Sequence, residues 1–244
     1  GGVYLARPLE PILLQWAPDE LGQIESIAIQ GNSQLSFKDV ALATGIARGQ
    51  SLAEIDLSQV EARLREEPWI KNAQVLRLPP ATLVIRVEER EPSAVLVAES
   101  KTEKPGRMRL VDESGIVFAS ASGLEALPVL IDGEEMENGR NPALLASGLS
   151  LLRRLHEAEI ALILDENRPL ALQLPQNGSS RGWIFRGRVE VVLGDRQLDA
   201  RIERLVTLLK NDEVQTLLKS PGMKIDLRFA EQAVLQSPEE GTNS

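Results

Sequence analysis

An α+β fold in two units is what this chain predicts, and three observations carry the prediction. Residues 24–91 read as strand, helix, helix, strand, strand. Beyond residue 92 the rhythm changes, with short strands in a mostly antiparallel β domain that also holds two longer helices. Between them "EEREP", from Glu88 to Pro92, is a charged exit whose proline interrupts hydrogen bonding, so the boundary is expected near Glu91-Pro92 with the two domains packed as neighbours. The full division is 1–22 as a linker, 23–91 as the first domain, 92–235 as the second and 236–244 as a disordered tail.

The elements follow in order. "IESIAIQGNSQLS" from Ile24 alternates Ile27 and Ile29 and then reaches a Gly-Asn pair, as a short strand ending in a turn does. "LSFKDVALATG" offers Ser36 as an N-cap, Val40 and Ala43 at helical spacing and Gly45 as a stop. A second helix starts near Leu57 with Leu57, Val60, Leu64 and Ile70 on one face, and Pro68-Trp69 marks its end. "PWIKNAQVLRLPPATLVIRVEEREP" then gives a strand through Ala73, Val75 and Leu76, a turn at Pro79-Pro80 and a strand alternating at Leu83, Ile85 and Val87.

In the second domain "RMRLVDESGIVFAS" reads as a hairpin turning at Asp112 to Gly115, and "ALPVLID" as a further strand. "PALLASGLSLLRRLHEAEI" is an amphipathic helix with Pro142 in its first turn. Strands are expected at Ile163-Leu164, at 170–174, at 183–185 and at 189–193. "DRQLDARIERLVTLLKND" is the second long helix, striped by Leu198, Ile202, Leu205 and Leu209. "KIDLRFAEQAVLQ" reads as one last strand, with Ile225, Leu227 and Phe229 on one face and Asp226 and Arg228 on the other.

Composition narrows the function. The net charge of −9 argues against a nucleic-acid partner, which needs clustered Lys and Arg to release counterions. The absence of cysteine excludes disulfides, thiol catalysis and thiolate metal sites. "VYLARPLEPILLQW" is broken by Arg7, Pro8, Glu10 and Pro11, so it falls short of a membrane span. Gly1-Gly2 in place of Met suggests a fragment or processed form lacking an upstream part such as a membrane anchor; an appended scar explains the pair equally well.

Reactive side chains do not converge. His156, the one histidine, sits among Arg153, Arg154 and Glu157 as on a solvated helix face. Asp132, Glu134, Glu135 and Glu137 lack the ligand spacing of a calcium loop. Glu88, Glu89 and Glu91 lack a second patterned acid, and "GRVEVVLGD" lacks phosphate-loop spacing. Lys101, Lys104, Arg107 and Arg109 are offset by Glu99 and Glu103. No enzyme, cofactor or metal centre is expected, and a Ser-Lys or carboxylate hydrolase is the catalytic alternative.

In their order, "IAIQGNSQLS", "GQSLAEID", "PWIKNAQVLRLPPATLVIRVEEREP", "LVDESGIVF", "LPVL", "GRVEVVLGD" and "KIDLRF" resemble the successive signatures of the FtsQ/DivIB bacterial division family, over about 24–235. The resemblance implies a single-pass inner-membrane protein whose transmembrane helix lies upstream, with a periplasmic POTRA domain and then a β domain at the division septum. It further implies a non-enzymatic scaffold linking early and late division proteins, with FtsB and FtsL on the β domain and others on the POTRA domain. Two departures stand out: "LPPATL" replaces an aromatic-Pro turn, and the family's "DLRY" ends here in Phe229. The alternative is a POTRA-bearing, chaperone-like module of outer-membrane protein assembly or secretion.

Two surfaces are the expected docking sites. The first is the last strand as a sheet edge: Ile225, Asp226, Leu227, Arg228, Phe229, Ala230, Glu231 and Ala233, with Asp226 and Arg228 free to fix register against a charged partner. The second is a POTRA face at Asn72, Val75, Arg77 and Glu89, where reversing the charges of Arg77 and Glu89 is expected to leave folding intact.

Overall fold

The computed structural model describes residues 21–98, 108–121, 127–133, 141–158, 160, 163–164, 169–220, 222–229 and 232–237. The chain separates into two compact units between Arg90 and Glu91. The expected linker up to residue 20, the basic residues 101–107, the acids 134–137, Ala230 and Glu231, and the tail beyond 237 lie outside the described residues.

In the first unit, β1 (Ser26–Gln30) is followed by α1 (Phe37–Ala43), α2 (Leu57–Glu66), β2 (Ile70–Leu78) and β3 (Thr82–Glu89), with sheet order β1-β3-β2. β1 runs parallel to β3 and β2 antiparallel to it. Helix α1 starts where predicted because Ser36 and Asp39 form a reciprocal capping box, and α2 starts at Asp56, whose side chain accepts from Gln59 N. Both helices bury their apolar face on one side of the sheet, where Val40, Leu52, Val60, Leu64, Val75, Leu83 and Ile85 form the core. Ile70 is not on the α2 face as its spacing predicted. Pro68 ends the helix first, and Ile70 becomes the first residue of β2, still 1% exposed in the same core.

Among the described residues, the second unit is a nine-stranded sheet with helices. Its elements are β4 (Pro92–Ala98), β5 (Met108–Asp112), β6 (Val117–Ser120), β7 (Val129–Asp132), α3 (Pro142–Glu157), β8 (Ala171–Gln173), β9 (Trp183–Arg186), β10 (Glu190–Gly194), α4 (Leu198–Leu209), α5 (Asp212–Leu217), β11 (Lys224–Asp226) and β12 (Val234–Gln236). The order is β12-β11-β10-β9-β8-β7-β4-β5-β6, and the pairings are antiparallel except β10–β11, β7–β8 and β4–β7. Leu145, Leu152 and Leu155 of α3 and Ile202, Leu205 and Leu209 of α4 join Leu130, Leu172, Phe185, Val191 and Ile225 in one core.

Several readings need correction. β4 was unread, because a strand beginning with proline looks like a linker. Pro92 occupies its first position, and after a register shift before Ala94 the strand pairs with β5 through Ala94 to Val97 and with β7 through Val95 to Ala98. Ile163-Leu164 is not a strand: Ile163 N bonds back to Ile160 O rather than to a neighbouring strand, although Ile163 is fully buried. Asp132, grouped in the sequence with the acids that follow it, is instead the buried last residue of β7, 4% exposed. The predicted last strand is two short strands, β11 and β12, antiparallel to each other, and Gln236 belongs to β12 rather than to a tail.

Candidate partner-binding surfaces

The residues proposed for the POTRA face do not form one. Because Ala73, Val75 and Arg77 point to the helix side of β2, Val75 is 3% exposed in the core. The Arg77 guanidinium donates to Leu52 O (2.7 Å), to Ala53 O and to Ile55 O, fastening the loop that leads into α2. Glu89 accepts from Gln34 N (2.7 Å) and Leu35 N (2.9 Å), closing the loop before α1. Asn72 turns its side chain to Ala73 N at 2.9 Å. Charge reversal at Arg77 should therefore damage the fold rather than spare it. We expect Arg77→Glu to cost about 1–3 kcal/mol through the abandoned carbonyls, seen as a lower denaturation midpoint; an unchanged midpoint would show that those bonds contribute nothing.

Glu89 also sets an acid response. Burial pushes its carboxyl up, but the backbone N–H groups of Gln34, Leu35 and Ser33 outweigh this and hold it below the ordinary glutamate value. A folded-state pKa below the unfolded one contributes stability above the unfolded value and loses it as pH falls through the folded value. Glu89→Gln should accordingly weaken the first unit at neutral pH and converge on the wild type at an acid pH below the lowered folded-state value of Glu89. Equal gaps at both pH values in denaturant titrations would remove Glu89 as the cause.

Among the described residues nothing covers the opposite sheet face. Leu76, Val84 and Ala28 form a cross-strand row, and Leu76 and Leu78 are 46% and 53% exposed. The outer edge of β2 is not open along its middle. Glu61 of α2 accepts from Val75 N at 3.0 Å, Arg65 donates to Ala73 O at 3.4 Å, and the two side chains pair with each other at 3.1 Å. Side chains thus occupy the backbone groups that an incoming strand would use there.

The second surface lies at the β12 end of the large sheet. Ile225 and Leu227 are fully buried. Asp226 and Arg228 are not separately available: Arg228 Nε lies 2.9 and 3.0 Å from the two Asp226 oxygens. Burial raises the Asp226 pKa, but the hydrogen bonds and charge of Arg228 hold it below the usual carboxylate range. Lys224, Arg181 and Arg186 gather around Glu190 close by. Phe229 is half exposed and Ala233 half-buried against the core, while Ala230 and Glu231 lie outside the described residues.

The edge is one strand further on than the sequence places it. β11 pairs with β10 on one side and β12 on the other. Glu190 N bonds Met223 O and Leu227 N bonds Val192 O, so in the parallel ladder Ile225 directs its backbone groups at β10, and Lys224 and Asp226 direct theirs at β12. Their partners Gln236 and Val234 therefore face β11, which leaves the N–H and C=O of Leu235 pointing outward, where no described strand pairs. Two arginines of α4, which the sequence reading did not single out, reach the chain just beyond β11. Arg201 donates to Arg228 O (3.0 Å) and Arg204 to Phe229 O (2.7 Å).

Among the described residues no group of His, Asp and Glu could hold a metal, and His156 is exposed in the last turn of α3. No described helix is long and apolar enough to cross a membrane.

Comparison with known proteins agrees with this architecture. A family model described as "POTRA domain, FtsQ-type" matches residues 23–90, and one described as "Cell division protein FtsQ/DivIB, C-terminal" matches 102–228, ending before β12. The chain is similar to a cell division protein FtsQ of Streptomyces bingchenggensis, at 30% identity over 77% of this chain and 69% of the relative. Similar proteins of the same name occur in Syntrophotalea carbinolica (29%, covering 75% and 64%) and Geobacter sp. strain M21 (26%, covering 88% and 76%). The chain spans about two thirds of the length of the first two. With a POTRA unit followed by the matching β domain in the same order, this chain belongs to the FtsQ/DivIB family of bacterial cell division proteins.

Proposed function

We propose that this cell division protein is a non-enzymatic scaffold of the divisome, acting on the periplasmic side of the inner membrane at the septum. It links early and late division proteins by holding FtsB, and FtsL with it, on the β domain, and other division proteins on the POTRA domain. The observation that carries this reading is the outward-pointing backbone of Leu235 on β12. Strand addition draws its affinity from such groups, and the side chains that flank them select the partner. Phe229 supplies an exposed aromatic beside the edge, and the Asp226–Arg228 ion pair lies next to it. The POTRA partner is assigned to the open face carrying Leu76 and Leu78, since β2 is covered along its middle.

The test is crosslinking in growing cells with a photoreactive residue at Phe229, and in parallel at Leu235. An adduct with FtsB is the expected result. Adducts with outer-membrane barrel proteins instead would favour the chaperone-like alternative, and loss of FtsB adducts at both positions would overturn the edge assignment.

A further inference from the structure

We infer that Arg201 and Arg204 are positioning residues of the docking edge, fixing the bend that converts the end of β11 into a return path for β12. The inference rests on the edge reading above and goes beyond it to helix residues that need touch no partner.

The geometry begins where the ladder stops. Leu227 N to Val192 O is the last rung described between β10 and β11. Beyond it, a strand continuing straight would send the carbonyls of residues 228 and 229 to opposite sides. Instead both meet donors from one helix: Arg201 Nη2 bonds Arg228 O at 3.0 Å and Arg204 Nη1 bonds Phe229 O at 2.7 Å. The two arginines are three residues apart on α4 and so share a face. The other Nη of Arg201 bonds Leu193 O, so a single guanidinium ties the ends of β10 and β11 together. Arg201 is 8% exposed, which makes its three-dimensional position a fixed one. Gly194 stands where it does for the same reason: its φ is +76°, and a Cβ there would collide with the Arg201 guanidinium.

The chain therefore bends at Phe229, and its return as β12 pairs Val234 with Asp226 and Gln236 with Lys224. Ladder direction decides which backbone groups point outward. If the bend relaxes, β12 loses its register and Leu235 no longer presents a fixed N–H and C=O. Charge-assisted bonds to carbonyls suit this task, because a planar guanidinium holds acceptors at set angles.

The experiment uses the full chain in five forms, wild type, Arg204→Ala, Arg204→Lys, Arg201→Lys and Leu235→Pro, with purified FtsB as titrant, and with amide exchange at Val234 and Gln236 measured without FtsB. Arg204→Ala should bind about tenfold more weakly, with faster exchange at those two amides and unchanged exchange in β10; Arg204→Lys, which keeps one donor, should recover most of both. Arg201→Lys, if folded, should fail to recover because one ammonium cannot span two strand ends. Arg204→Ala binding as the wild type while Leu235→Pro has lost affinity would overturn the positioning role and leave the edge reading standing. Weakened binding with wild-type exchange at Val234 and Gln236 would also overturn it, since the arginine would then act on FtsB directly. Leu235→Pro binding as the wild type would remove the edge reading, and this inference with it.

Discussion

Leu235→Pro should reduce FtsB affinity by at least about tenfold, the scale expected when an edge loses one of the few bonds that a short strand can make. Proline deletes the outward donor of Leu235 and places a ring where an incoming strand must approach. It deletes no bond to β11, because Val234 and Gln236 are the residues that face that strand. Extended backbone is also what the residue before a proline prefers, so Val234 is not forced out of β12. Leu235 does pack against the core with part of its side chain. Leu235→Ala is the control, since it loses that contact and keeps the donor. The expected pattern is strong loss with proline, a small loss with alanine and thermal midpoints close together. Equal losses in both would assign the effect to the side chain, and no loss in either would place FtsB elsewhere.

The sequence made the first unit readable and misread the end of the second for an identifiable reason. β1, α1, α2, β2 and β3 are specified by local signals: the Ser36 cap, the Asp56 cap, Pro68 as a stop, and alternation in two long strands. The Glu61–Arg65 cover on β2 was not visible, since an i, i+4 pair on a helix looks the same whether or not it reaches a strand. The 224–236 segment alternates from Lys224 to Phe229 and carries no Gly or Pro in its remainder, so local pattern predicts one strand. Its division into β11 and β12 comes from arginines some 25 residues earlier in the chain, a tertiary override that no local pattern contains. Val75, Arg77 and Glu89 were misassigned through the same gap: polar or alternating residues on a strand do not announce which loop they fasten. β4 was lost because the rule that demotes strands containing proline applies least at a strand's first residue.

Leu64→Ala should produce the largest stability change and separate the two units in a single measurement. Leu64 is fully buried in the POTRA core among Val60, Ile70, Val75, Leu83 and Ile85, so its truncation leaves a cavity rather than a surface dent. The cost is about 2–5 kcal/mol. A unit of this size has only about 3–10 kcal/mol in total, so its unfolding transition should fall by many degrees while the transition of residues 91–244 stays in place. FtsB affinity measured below both transitions should not change, because β12, the bend at Phe229 and the α4 arginines all belong to the other unit. A single transition that moves as a whole would show that the units fold as one, and loss of FtsB binding would assign the POTRA unit a share of that site. A second consequence follows from α2 itself. Glu61 and Arg65 lie one helical turn or less from Leu64, and they are the groups that cover Val75 N and Ala73 O on β2. Loosening α2 uncovers that edge beside the exposed Leu76 and Leu78, and an uncovered strand with an apolar row pairs with other copies. Leu64→Ala should therefore aggregate on warming at a temperature below the melting of the second unit, and adding Leu76→Lys should suppress that aggregation without restoring the lost stability; aggregation unchanged by the added lysine would mean that the β2 edge is not its origin.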